Sequence, residues 1–263
     1  MTSAFFGELY RRNRLLTLVG WLHVLVLLAT AVGYFTDDRI VMGVNTWLKP
    51  MKFMFSLAVY LWTIAWFSRY ISRPRWAVRT ISIVIAIVTL IESTCILLQA
   101  ARATTSHYNV STDFDGVVFQ TMGIMIAIDM LMSIVILFRF IKPVVRLSPV
   151  YLWGIRSGFL LFLAGGAIGS VMIANDGHTI GAPDGGPGLP LLNWSTLGGD
   201  LRIAHGMALH ALQILPFWGY ALSRGSLLSS NAARLAVFAV GALAYAGGVF
   251  LLYTRAMAGV PLI

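Results

Sequence analysis

The sequence predicts an all-α, polytopic integral membrane protein, a single membrane domain over 1–263 folded as a seven-transmembrane-helix bundle, N-in/C-out. Three observations carry that expectation. Only 11% of the 263 residues are charged while 58% are hydrophobic, against about 25% charged in an ordinary soluble domain. The 22 residues between Arg14 and Asp37 contain no carboxylate, Lys or Arg. The cations divide unequally between alternate connections, as the positive-inside rule requires. This composition argues against a soluble enzyme, a disordered chain and a nucleic-acid-binding module, because the net charge of +9 is not gathered into a basic domain. Cys95, the single cysteine, lies in an apolar stretch and has no intrachain partner.

The first span covers 15–35, long enough at ~1.5 Å per residue to cross a ~30 Å hydrocarbon layer. It is too long for a signal-peptide core. Six further apolar runs follow at 51–71, 77–100, 116–141, 151–174, 201–222 and 233–253. With the N-terminus inside, 13 of the 19 Lys and Arg residues, Arg73 among them, fall on the inner side and 6 on the outer. Seven Asp residues fall outside, whereas Glu8 alone falls inside. The partner implied first is therefore the lipid bilayer, the cytoplasmic (inner) membrane if the source is bacterial, with anionic headgroups against the basic face.

The inner connections near 72–76, 142–149 and 224–232 are short. The longest outer loop, 175–200, holds seven Gly and three Pro, and a loop of that length is either a functional cover or unstructured. Leu191, Leu192 and Trp194 favour a cover lying on the membrane surface. The first outer loop, 36–50, ends at Lys49 and Pro50, with Lys52 close behind; Pro suits a first helical turn. Lys49 and Lys52 either snorkel towards headgroups or greet an anionic ligand. Gly165 with Gly169, and Ala244 with Gly248, are small residues four apart that allow close helix packing, within one chain or in a homo-oligomer. A shift of 155 residues aligns Ser68-Arg69 with Ser223-Arg224, a match that repeated inner arginines produce in any such topology.

Function is sought where charge is costly. An ionisable side chain deep in lipid costs at least ~2.5 kcal/mol and needs a partner or a water-filled cavity. On the third span Glu92, Gln99 and Arg102 share one helix face, within about 80° at 100° per residue. Asp129 lies midway along the fourth span. With Glu92 it forms the candidate catalytic pair, as proton carriers or base. The candidate ligand-binding residues are Lys49, Gln99, Arg102, His107, Arg202, His205, His210 and Gln213, lining an outward-facing polar pocket for a small or amphiphilic molecule. His205 and His210 are about 140° apart on their helix, which weakens a zinc pair of the His-Glu-x-x-His kind. An alternative is a redox or hydrolytic enzyme in which His23, His205 and His210 hold haem b or a metal ion. A third reading is an accessory subunit whose polar residues only join helices. Two outer sequons, at Asn109 and Asn193, are short and weak patterns. No phosphate loop, nucleophile elbow or basic DNA-reading face is present.

Overall fold

A computed structural model describes residues 2–71, 74–143, 145–226 and 228–263. Ser72 and Arg73, the latter expected as an inner cation, together with Val144 and Leu227 of the other two connections expected on that side, lie outside the described residues. Regular structure among the described residues is helical apart from four two-residue strands. The order is α1 (Thr2–Arg12), α2 (Arg14–Thr36), β1 (Ile40–Val41), β2 (Val44–Asn45), α3 (Leu48–Phe67) with a 3-10 turn (Ser68–Ile71), α4 (Arg75–Ala101), α5 (Asp113–Arg139), α6 (Pro149–Ala174), β3 (Thr179–Ile180), β4 (Gly199–Asp200), α7 (Leu201–Arg224) and α8 (Asn231–Met257).

Six of these helices are long and apolar enough to cross a membrane: α2, α3 with its 3-10 turn, α4, α5, α6 and α8. The protein is thus multi-pass by length and composition. The expected sixth span is indeed one helix, α7, of 24 residues. It is not among those six, because Arg202, His205, His210 and Gln213 dilute its apolar character. The helix α1 was not expected; it precedes the first span and carries Glu8, Arg11 and Arg12.

Helix starts follow side-chain chemistry. Asn13 caps α2 by accepting from the Leu16 N–H, Ser148 caps α6 ahead of Pro149, Asp200 caps α7 and Ser230 caps α8. Each satisfies one of the donors that a helix start leaves over.

The chain forms two compact units, Met1–Met132 and Ser133–Ile263. In the first, α2 meets α3 with Gly20 against Trp62 and Gly33 against Trp47, where an added Cβ would collide with the indole rings. Ile96, Val118 and Met122 pack together beside Phe53 and Cys95, joining α4 to α5 and α3. In the second unit, a glycine stripe on α6 brings backbones together. A Cβ on Gly154 would meet the Leu215 carbonyl at 2.7 Å, and one on Gly158 the Ala211 carbonyl at 3.0 Å. Gly165 fits against Ala208 and Leu209, and Gly169 against His205. The expected pairing of Gly165 with Gly169 is therefore used within the chain. On α8, by contrast, Gly248 meets nothing within 4 Å among the described residues.

Candidate functional site

The polar face expected on α4 separates into two parts with different chemistry. At its C-terminal end, Arg102 forms an ion pair with Asp115 and donates to the Gln99 side-chain oxygen. Gln99 Nε2 donates to the same Asp115 oxygen at 2.7 Å, and Thr112 Oγ1 donates to the other carboxylate oxygen at 2.7 Å. Asp115 and Gln99 are buried. Gln99 and Arg102, two candidate ligand contacts, are thus engaged in a lock between α4 and the start of α5. Sequence reasoning counted Asp115 only as an outer acidic residue. Its pairing was hidden by the 12 residues between it and Arg102, a separation closed by the turn through Thr104–Thr112.

Glu92 is different. It lies seven residues below Gln99, about 10 Å along the helix, and is 2% exposed. Neither of its carboxyl oxygens has a hydrogen-bond partner among the described residues. The charged groups within electrostatic reach are Lys49 and Asp129. Asp129, buried on α5, accepts a hydrogen bond from the Tyr60 hydroxyl of α3 at 2.8 Å. Three helices thereby bring two carboxyls and one ammonium into a single neighbourhood. Tyr60 was not among the expected site residues, since a lone Tyr in an apolar run carries no signal of its partner.

Lys49 occupies the first turn of α3, half-buried. Its Nζ donates to His107 Nδ1 at 3.1 Å, and Ser106 Oγ lies 3.1 Å from the same ring nitrogen. Phe53, Tyr108 and Phe119 surround the His107 ring with centroids 6.0–6.2 Å away. Lys49 and His107, expected separately, therefore act together at one end of the Glu92 region. The first loop is fastened nearby: Arg39 pairs with Asp37 at 2.6 Å and donates to the Ala101 carbonyl. Those Arg39 bonds, with a further one from the Trp47 indole, hold the Asp37 carboxyl well below the usual carboxylate range.

His23, buried on α2, directs Nδ1 at the Val19 carbonyl at 2.8 Å. A carbonyl only accepts, so Nδ1 carries a proton. Nε2 has no hydrogen-bond partner at bonding geometry among the described residues, although the Thr89 backbone lies within reach of the ring.

The remaining expected residues belong to the second unit. Arg202 pairs with Asp200 at 2.6 Å and also donates to the Asn193 carbonyl. Asp200 in turn accepts from the Ser195 N–H at 2.7 Å. Arg202 accordingly pins the long loop to the start of α7. His205 Nδ1 donates to the Gly165 carbonyl at 2.8 Å, tying α7 to α6. His210 is exposed, on a stripe with Met207, Ile214 and Phe217, and Gln213 is half-buried. The long loop is ordered by its own contacts, with β3 paired to β4 and Gly188 bridged to Ser195. Burial of Asp184 opposes its ionisation, but hydrogen bonds from His178 and Thr179 outweigh that and hold its carboxyl well below the ordinary range.

No group of three or more His, Cys, Asp or Glu side chains suited to a metal ion occurs among the described residues. Compared with known proteins, the chain matches no family model, no curated protein and no solved structure.

Proposed function

We propose that the protein is a single seven-span membrane domain, N-in/C-out, in which Glu92 and Asp129 carry protons coupled to binding, sensing or moving a small or amphiphilic molecule. The observation that carries this reading is the buried Glu92 carboxyl without a hydrogen-bond partner among the described residues. A buried carboxylate without a hydrogen-bond partner in the protein is too costly to keep for packing alone. A carboxyl that loads and releases a proton repays that cost. Asp129 supplies a second site within electrostatic reach, and Tyr60 orients it. Lys49, bonded to His107, provides the cationic end that an anionic ligand group would meet first. The asymmetry of 13 inner against 6 outer cations supports the orientation, and α7 is the helix the seventh crossing requires.

A carbodiimide soluble in the bilayer, dicyclohexylcarbodiimide, tests the reading directly, since it modifies carboxyls only in their protonated form. Full-length protein in lipid vesicles is expected to be modified at Glu92, less so as pH rises, and not at position 92 in Glu92→Gln. Modification that spares Glu92 at every pH contradicts the proposal.

A second reading rests on His23. Ligating histidines characteristically donate the other ring N–H to a carbonyl or carboxylate, as His23 does to Val19. Haem or metal ligation through Nε2 would give purified protein a Soret band or a stoichiometric metal content. Either is to be lost in His23→Ala; colourless, metal-free protein excludes it.

A further inference from the structure

A cavity of about 750 Å³ opens in the first unit at the opposite end of α3 and α4 from Lys49 and Arg102. Five arginines line it, Arg11, Arg12, Arg69, Arg75 and Arg79, against one carboxylate, Glu8. The elements that build it are α1, the start of α2, the 3-10 turn after α3 and the first turns of α4. Helix ends meet here, so the cavity lies where the spans leave the apolar layer. Its volume falls within the ~300–1,000 Å³ of small-molecule sites.

The arginines divide into two sets. Arg11, Arg12 and Arg69 all reach Glu8, at 2.7, 2.9 and 3.1 Å, and the Arg12 guanidinium also lies 3.7 Å over the Trp66 ring. Hydrogen bonds from Arg11 and then Arg12 pull the Glu8 carboxyl down to about 2, so it stays ionised opposite them. Asn13 Nδ2 ties the floor together, donating to Ser68 Oγ at 3.0 Å and Ser82 Oγ at 2.6 Å. Arg75 and Arg79 form the other set. One turn apart on α4, they are exposed and make no ion pair among the described residues. The positive end of α4 adds to their field. Guanidinium groups arranged around a cavity match the oxygens of a phosphate, which they grip through paired N–H groups.

We propose that this cavity binds a phosphate group, presented by an anionic phospholipid headgroup or by a soluble phosphate, with Arg75 and Arg79 as its principal contacts. The site is separate from the Glu92 region and does not depend on its function.

Native mass spectrometry of the full-length protein in mild detergent tests the assignment with three probes: phosphatidylglycerol, phosphatidylcholine and inorganic phosphate. Phosphatidylglycerol retained at least tenfold better than phosphatidylcholine identifies a lipid site, and retention of inorganic phosphate identifies a soluble ligand. In either case binding is expected to fall at least tenfold in Arg75→Gln/Arg79→Gln and to persist in Arg146→Gln, an exposed arginine outside the cavity. A measurement on the unaltered protein runs in parallel: phenylglyoxal modification of Arg75 and Arg79 should be suppressed at least fivefold by whichever probe binds. The proposal is overturned if neither anionic probe binds, if binding survives the double substitution, or if saturating probe leaves the modification of both arginines undiminished.

Discussion

Glu92 and Arg102 share one face of α4, yet their surroundings could hardly differ more. Arg102 is matched by Asp115, whose oxygens also take hydrogen bonds from Gln99 and Thr112, whereas buried Glu92 has no hydrogen-bond partner among the described residues. Removing the Asp115 carboxylate leaves the buried Gln99 donor without its acceptor, so Asp115→Ala is expected to lower the thermal midpoint clearly more than Asp113→Ala, measured by scanning fluorimetry in detergent. Glu92→Gln removes no hydrogen bond seen among the described residues and should leave that midpoint unchanged or raised. A fall as large as that of Asp115→Ala would show that Glu92 holds the fold instead. Tyr60→Phe deletes one buried hydrogen bond to Asp129 and is expected to cost about 1–3 kcal/mol, read from unfolding in mixed micelles. The sequence made Glu92, Asp129 and Arg102 visible because charge in an apolar run is costly. It did not reveal Asp115 or Tyr60 as partners, since helical period places residues on a face without saying what the face meets.

At the scale of elements, the long helices are legible as apolar runs, while the caps at Asn13, Ser148, Asp200 and Ser230 emerge only in the fold. The close α6 to α7 approach was foreshadowed by Gly165 and Gly169, and extends to Gly154 and Gly158. Gly154→Val, which must displace the Leu215 carbonyl, is expected to destabilise by about 1–3 kcal/mol through overpacking, while Gly248→Val on α8 should be nearly neutral. The amphipathic α1 was missed because it is short and polar, outside any apolar run. The long loop was expected as a cover, and its internal order comes from Arg202, Asp200 and the bond from His178 to Asp184 at 2.7 Å, pairings that only the folded loop creates. Because the folded Asp184 carboxyl titrates below its unfolded value, its contribution is fully present above about pH 4 and fades as pH falls through the lower folded value. Limited proteolysis between 181 and 190 should therefore accelerate below that pH, and Asp184→Asn should show the acid pattern already at neutral pH. Equal cleavage of the two proteins at neutral pH would refute the link.

For the whole molecule, composition made membrane residence legible before any element was assigned, and six apolar helices bear it out. The crossing proposed for α7 is harder to read, because its polar residues lower its hydropathy. Part of that polarity is structural: Arg202 closes on Asp200 and His205 on the Gly165 carbonyl. If α7 crosses, a C-terminal reporter and an N-terminal reporter must report opposite sides of the membrane; reporters on the same side would remove either α7 or another helix from the count. The division into two compact units was not legible in the sequence, since the break at 132/133 falls inside the apolar run of α5.

Glu92 is proposed to take up and release a proton within the bilayer. Infrared difference spectroscopy of the reconstituted full-length protein, titrated from acid to alkaline pH, observes the carbonyl stretch of a protonated carboxyl directly. The expected result is a titrating carboxylic-acid band from a dry environment that disappears in Glu92→Gln and shifts in Asp129→Asn. A spectrum without such a band, or a band unaltered by Glu92→Gln, would contradict it.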